Sequence, residues 1–210
     1  MRIFVRGLSV VAVCSLIAAG CSKGAPAPPA AAPPPAPSAS SGGRIVGTAT
    51  RPTSGVPVVI VLEPKTPREF PPQTDKPVMD QIGATFGPAL LFVRTGQPTE
   101  FRNSDDTLHN VHVTHYETRE PQFNVAIPTG EIFNYTFKRD GFYHVGCDIH
   151  PAMSAEIFAA GSPFVTTADT DGSFAFDEVP PGAYVVTMYA GGTRTQRDVD
   201  VKEGATSSIR

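Results

Sequence analysis

Tryptophan is absent from this chain of 210 residues, and cysteine occurs three times, at Cys14, Cys21 and Cys147. Without tryptophan, and with no aromatic platform in the sequence, a carbohydrate-binding or adhesive role is the weakest of the readings considered. Basic side chains are also scarce. Removing residues 1–20 takes two of the 17 basic groups and none of the 20 acidic ones, which moves the net charge from −3 to −5. No basic patch remains, so nucleic acid is excluded as a partner. Helical periodicity is missing throughout the body of the chain, which excludes helix bundles. Residues 8–19 form an apolar run of about a dozen residues, too short to span a bilayer.

That run follows Arg2 and Arg6, so residues 1–20 read as a secretory signal. It ends Ile17-Ala18-Ala19-Gly20-Cys21, which resembles a bacterial lipobox. The resemblance implies acylation of Cys21, a lipid anchor in the membrane and a place in the cell envelope on the periplasmic face. Ser22 stands where an aspartate would favour inner-membrane retention, so in a Gram-negative host the expectation is the outer membrane. An ordinary signal peptide cut at a small residue is the alternative. Residues 21–43 are almost wholly Pro, Ala, Ser and Gly and predict an extended tether. In polyproline II form it reaches on the order of 60 Å at ~3.1 Å per residue.

The remainder is expected to be all-β. Short alternating or β-branched runs recur at 44–50, 56–63, 90–94, 99–102, 109–115, 131–138, 142–147, 155–159, 173–176, 183–189 and 197–201, separated by Gly and Pro. Many short strands of this kind predict sandwiches or barrels.

With Cys14 and Cys21 consumed by export and lipidation, Cys147 has no disulfide partner, and an unpaired thiol in an oxidising compartment calls for a reason. It opens Cys147-Asp148-Ile149-His150-Pro151-Ala152-Met153, which reads as a tight loop between two strands. Upstream, the polar turn at 103–107 delivers His109 to the start of another strand. If those strands are neighbours, His109 joins Cys147, His150 and Met153. Two imidazoles, a thiolate and a distant thioether are the ligand set of a blue-copper centre. Zinc competes, but methionine is a poor zinc ligand, and only Glu156 stands as a base for a zinc hydrolase. A buried cysteine with satisfied histidines and no metal is the bland alternative. His109, His112 and His115 do not form a three-histidine site on a strand. His109 and His112 point to opposite faces, and His109 and His115 are about 20 Å apart at ~3.3 Å per residue. His112 and His115 therefore read as surface residues or as supports for the site, and His144 as packing or surface. Asp169 and Asp171 lack the further ligands of a calcium loop and read as a polar turn before a strand.

The segment His109-Asn110-Val111-His112-Val113, followed by Cys147, His150 and Met153 at three-residue spacing, resembles the cupredoxins, and among them the amicyanin type. The likeness runs over 74–161. It implies a Greek-key sandwich holding one type 1 copper, with His109, Cys147 and His150 equatorial and Met153 axial. It also implies that Asn110 ties the two ligand loops together and that the edge of His150 is the electron's exit. The flanks, 44–64 with 162–210, resemble a carboxypeptidase-regulatory-like, transthyretin-type sandwich. The cupredoxin is expected to be inserted in it or packed beside it. The whole is similar to the bacterial plastocyanin-like family labelled methylamine utilisation proteins. The function expected is single-electron transfer with a periplasmic c-type cytochrome or oxidoreductase, by a carrier that is not an enzyme. Copper storage, delivery or sensing with the same ligands is the alternative.

Overall fold

The structure, a computed structural model, describes residues 42–50, 57–190 and 192–209. The expected signal at 1–20, the acylation site Cys21 and all but the last two residues of the 21–43 tether lie outside the described residues. Gly43, assigned above to the tether, instead opens a strand. A Cβ there would come within 2.5 Å of the Lys202 carbonyl and the Val201 side chain, so the glycine serves a close approach of backbones.

Every regular element among the described residues is a strand. The flanking elements β1 (Gly43–Thr48) and β2 (Val59–Pro64) come first. Nine follow: β3 (Val78–Ile82), β4 (Thr85–Gly87), β5 (Leu90–Arg94), β6 (Pro98–Asn103), β7 (His109–His115), β8 (Pro121–Ile127), β9 (Ile132–Thr136), β10 (Gly141–Gly146) and β11 (Ser154–Ala160). The chain ends with β12 (Val165–Thr167), β13 (Ser173–Val179), β14 (Gly182–Ala190), β15 (Thr193–Val201) and β16 (Thr206–Ile209). Four sheets result, ordered β13-β1-β16, β12-β2-β14-β15, β4-β3-β6-β9 and β5-β11-β10-β7-β8. The protein is all-β, built as two sandwiches.

The nine central strands enclose one core. Met79, Phe101, Val111, Val113, Phe137, Tyr143, Val145 and Ile157 meet there between the four-stranded β3 sheet and the five-stranded β10 sheet. The flanking strands enclose another, with Ile45, Ile60, Leu62, Phe176, Tyr184 and Val186. A third apolar layer joins the two sandwiches: Val59 and Val61 of β2 lie against Phe158 and Ala160 of β11, with Phe142 and Tyr189 packed beside them. Strand parity explains the order of layers. On β2, Val59 and Val61 face the joint while Ile60 and Leu62 face the flanking core. On β11, Ala155, Ile157 and Ala159 face the central core while Phe158 and Ala160 face the joint. Both strands are buried on both faces, which is why β2 reads as an unbroken apolar run. Each sandwich also carries a buried tyrosine whose hydroxyl donates to a carbonyl four residues upstream. These are Tyr143 to Arg139 at 2.6 Å and Tyr184 to Pro180 at 2.7 Å. Burial pushes the Tyr143 hydroxyl up to about 12, so it remains a donor at any physiological pH.

Two stability tests follow from this packing. Phe101 is fully buried and its ring lies against those of Phe123, Phe133 and Phe137. Phe101→Ala is expected to cost about 3–5 kcal/mol in chemical denaturation, because the rigid sheets cannot close the cavity. Glu100, buried on β6, accepts from Arg102 and Lys76, and these bonds hold its carboxyl below the ordinary glutamate value of 4.5. Its folded value lies below its unfolded one, so its contribution is complete above 4.5 and is lost as pH falls through the depressed value. Glu100→Gln should flatten the acid limb of a melting-temperature profile below pH 4.5 while leaving its neutral part parallel to wild type.

Candidate metal centre

The site forms at one end of the central sandwich. In the five-stranded sheet, β10 lies antiparallel to both β7 and β11. Gly146, the last residue of β10, pairs with His112 of β7, which places Cys147 beside the start of β7. Parity then fixes direction. Tyr143, Val145 and Cys147 point into the core, while His144 is exposed on the other face. Likewise His109, Val111 and Val113 point inward from β7. The chain from Cys147 to Met153 is a closed loop, in which Cys147 N–H donates to the Met153 carbonyl at 3.3 Å and Met153 N–H donates to the His150 carbonyl at 2.9 Å.

Three donor atoms converge. His109 Nδ1 lies 3.0 Å from His150 Nδ1, and Cys147 Sγ lies 4.0 Å from the former and 3.9 Å from the latter. His109 and Cys147 are buried, and His150 is half-buried at the rim. Met153 is fully buried in the same apolar cluster as Cys147. Among the described residues this is the one group of His, Cys, Asp or Glu donors close enough to share an ion. The triangle can be tested against ordinary bond lengths. One point can lie ~2.05 Å from both nitrogens and ~2.3 Å from the sulfur, so the three atoms are within reach of a single ion held by two imidazoles and a thiolate.

Asn110 secures the loop. Its Oδ1 accepts from Asp148 N–H at 2.7 Å, from Ile149 N–H at 3.2 Å and from the Cys147 thiol at 3.2 Å. Its Nδ2 donates to Asn124 Oδ1 at 2.8 Å and to Asp148 Oδ2 at 3.1 Å. Asn124 Nδ2 in turn donates to Asp148 Oδ2 at 2.7 Å, which closes a ring of three side chains. His112 Nδ1 meets Asp148 Oδ1 at 3.0 Å. His112, then Asn124 and Asn110, hold the Asp148 carboxyl below the usual aspartate range. His150 N–H donates to Cys147 Sγ at 3.4 Å, a bond that persists when the thiol becomes a thiolate.

Asp105, Asp148 and Asn124 were not singled out from the sequence. Asp148 lies inside the Cys147–Met153 motif, and Asp105 in the polar turn before His109, but neither position looks different from a solvated turn acid. Their partners are brought in by sheet pairing. Asp105 Oδ2 lies 2.8 Å from His109 Nε2, and its carboxyl is held below the usual range by the Ala84 and Gly83 amides and by His109. His115 departs from expectation. It is buried rather than at the surface, packs edge-on against Tyr143 at 4.9 Å, and sits at the far end of β7 from the donor cluster. Its Nε2 has no hydrogen-bond partner. The odd-numbered face of β7 is the core face along its whole length, and the polarity of His115 hid that. Glu156 pairs with His144 across β10 and β11, on the face opposite Ala155 and Ile157, away from the donor cluster. Asp169 and Asp171 shape the turn into β13, where Asp171 Oδ1 accepts from Ser173 N–H at 2.9 Å and Ser173 Oγ at 2.7 Å.

Residues 150–210 match the family model of the carboxypeptidase regulatory-like domain, well under half of the chain. The match takes in β11 to β16 and leaves β1 and β2 upstream of it. No curated protein matches the chain in sequence. Among solved structures, a reduced mutant of amicyanin is similar at 20% identity over 42% of this chain and 85% of its own, with a TM-score of 0.38. A copper(I) form of another amicyanin mutant is similar at 21% identity over 40% of this chain and 82% of its own, with a TM-score of 0.37. A purple cupredoxin from Nitrosopumilus maritimus is similar at 19% identity over 40% of this chain and all of its own, with a TM-score of 0.36.

Asn110→Ala removes the shared acceptor of the ligand loop. Metal affinity is expected to fall about 10–100-fold in a copper titration, the range for lost supporting hydrogen bonds. Amide exchange at Asp148 and Ile149 should rise in the same variant.

Proposed function

We propose that this chain binds one copper ion as a type 1 (blue) centre and carries single electrons in the cell envelope. The observation that supports it is the convergence of the His109, Cys147 and His150 donor atoms, with Met153, a poor ligand for zinc, buried in the same cluster as Cys147. Met153 is assigned as the weak axial ligand. The copper, when bound, supplies a one-electron couple between its cuprous and cupric states.

The chain's own residues supply the rest. Burial of His109 and Cys147 keeps water from the site, and the closed loop with Asn110 holds the donors in one arrangement. A frame that does not rearrange between oxidation states lowers the cost of moving an electron. His150 is the ligand at the rim, and exposed Ile149 lies next to it, so the electron leaves through the His150 edge. We assign residues 74–161 to the cupredoxin and 44–64 with 162–210 to a discontinuous flanking sandwich. The chain is further proposed to be anchored through acylated Cys21 on the periplasmic face. There it would exchange electrons with a c-type cytochrome or oxidoreductase, without catalysing a reaction of its own.

One equivalent of copper(II) added to the purified chain should produce an intense visible thiolate-to-copper band, and Cys147→Ser should abolish it. A copper complex without that colour would remove the type 1 assignment. Fast electron self-exchange is expected of a carrier, whereas slow exchange with ready release of copper to an acceptor would mark a delivery protein.

A further inference from the structure

Asp105 differs from the other residues around the cluster, because it is a carboxylate set on the outer nitrogen of a buried ligand imidazole. His109 has no solvent exposure, and its Nε2 lies 2.8 Å from Asp105 Oδ2. The carboxylate is itself held from behind. Gly83 N–H donates to its Oδ1 and Ala84 N–H to its Oδ2 at 2.9 Å. Both amides belong to the two-residue turn between β3 and β4, where φ is +61° at Gly83 and +53° at Ala84. Successive positive φ values define a mirror-image hairpin turn. At Ala84 that conformation is unusual for a residue with a Cβ, and it aims the amide at the carboxylate. The backbone of Asp105 is fixed too. Its N–H donates to Asn103 Oδ1 at 3.0 Å, while Asn103 Nδ2 donates to the Thr107 and Ile127 carbonyls, both at 2.8 Å.

We propose that Asp105 is a positioning residue that fixes the tautomer and donor strength of His109, and so biases the bound copper toward its oxidised state. The proposal rests on the copper reading above. An ionised carboxylate only accepts hydrogen bonds, so the proton of His109 must sit on Nε2. Nδ1 is then a bare lone pair directed at the cluster, where it lies 3.0 Å from His150 Nδ1 and 4.0 Å from Cys147 Sγ. In the metal-free protein His150 Nδ1–H donates to it, so the tautomer is selected before any ion arrives. A full negative charge on the Nε2–H also makes Nδ1 a stronger donor than a neutral acceptor would, as in other carboxylate–histidine–metal arrangements. A stronger donor favours the more highly charged ion. The β3–β4 hairpin of one sheet thereby acts on a ligand carried by the other.

The decisive measurement is nitrogen-15 NMR of the histidine rings in the metal-free wild-type chain, which needs neither copper nor a variant. His109 is expected as the Nε2–H tautomer with a strongly hydrogen-bonded proton, and His109 found protonated at Nδ1 would overturn the proposal. In Asp105→Asn the ratio of copper(I) to copper(II) affinity should rise about tenfold, which for one electron is a potential about 59 mV higher. An unchanged ratio together with an unchanged Nε2–H signal would overturn it equally. A chain that takes up no copper sinks the copper reading, while the ring tautomer still decides the role of Asp105.

Discussion

Polar ring nitrogens buried inside a protein are costly, and this sandwich end is organised around keeping two of them within 4 Å of a thiol. The three groups cannot satisfy one another well. The two nitrogens compete for one proton, and both are too far from the sulfur for a good hydrogen bond. Such a cluster persists only because the surroundings hold each member separately. Asp105 holds His109 from the Nε2 side. Asn110 holds the thiol and the amides of Asp148 and Ile149. The apolar core beneath, with Met153 within it, denies the cluster water.

Those supports come from different sheets, and the sandwich geometry is what brings them together. His109, Asn110 and Cys147 sit at the ends of neighbouring strands of the five-stranded sheet, so their spacing follows from sheet pairing. The Gly83 and Ala84 amides belong to a hairpin of the facing sheet. Asp105 lies on the connection between β6 and β7, where the chain passes from one sheet to the other, and it is the point at which the second sheet reaches the first.

Much of this could be read from residue order. The alternation Tyr143, Val145, Cys147 on one strand and His109, Val111, Val113 on another states which side chains face inward, and the three-residue spacing to His150 marks the loop. The strands that escaped notice did so for different reasons. β8 opens on Pro121 and interleaves Phe123, Val125 and Ile127 with polar residues, as an edge strand does, so its composition resembles a loop. β4 and β12 are three residues each, too short to show a period. β16 is a run of Thr and Ser that becomes a strand only by lying parallel to β1. β15 begins four residues before the run read at 197–201, because its first half, Thr-Arg-Thr-Gln-Arg, is a polar edge. His115 was hidden in the opposite way, by a polar side chain on a core face. The partners of Asp105 were illegible for a further reason, since a contact with a backbone amide 21 or 22 residues away leaves no trace in side-chain identity.

The flanking sandwich bears on the metal end through β11. That strand leaves the ligand loop at Ser154 and is buried on both faces, by the central core and by the layer it shares with β2 and Tyr189. An isolated sandwich would leave Phe158, Phe142 and Phe92 facing water, an apolar patch of the kind monomeric proteins cover. Covering it fixes both β11 and β10, the two strands between which the loop from Cys147 to Met153 is strung. The ends of the loop are thus tied to β10 and to β11, a strand buried on both faces, while its tip is left at the surface with Ile149 exposed. Rigid anchors and an accessible tip are what a site needs if its donors are to stay still while an electron crosses at its rim. In this chain the second sandwich contributes to that rigidity without touching the donors.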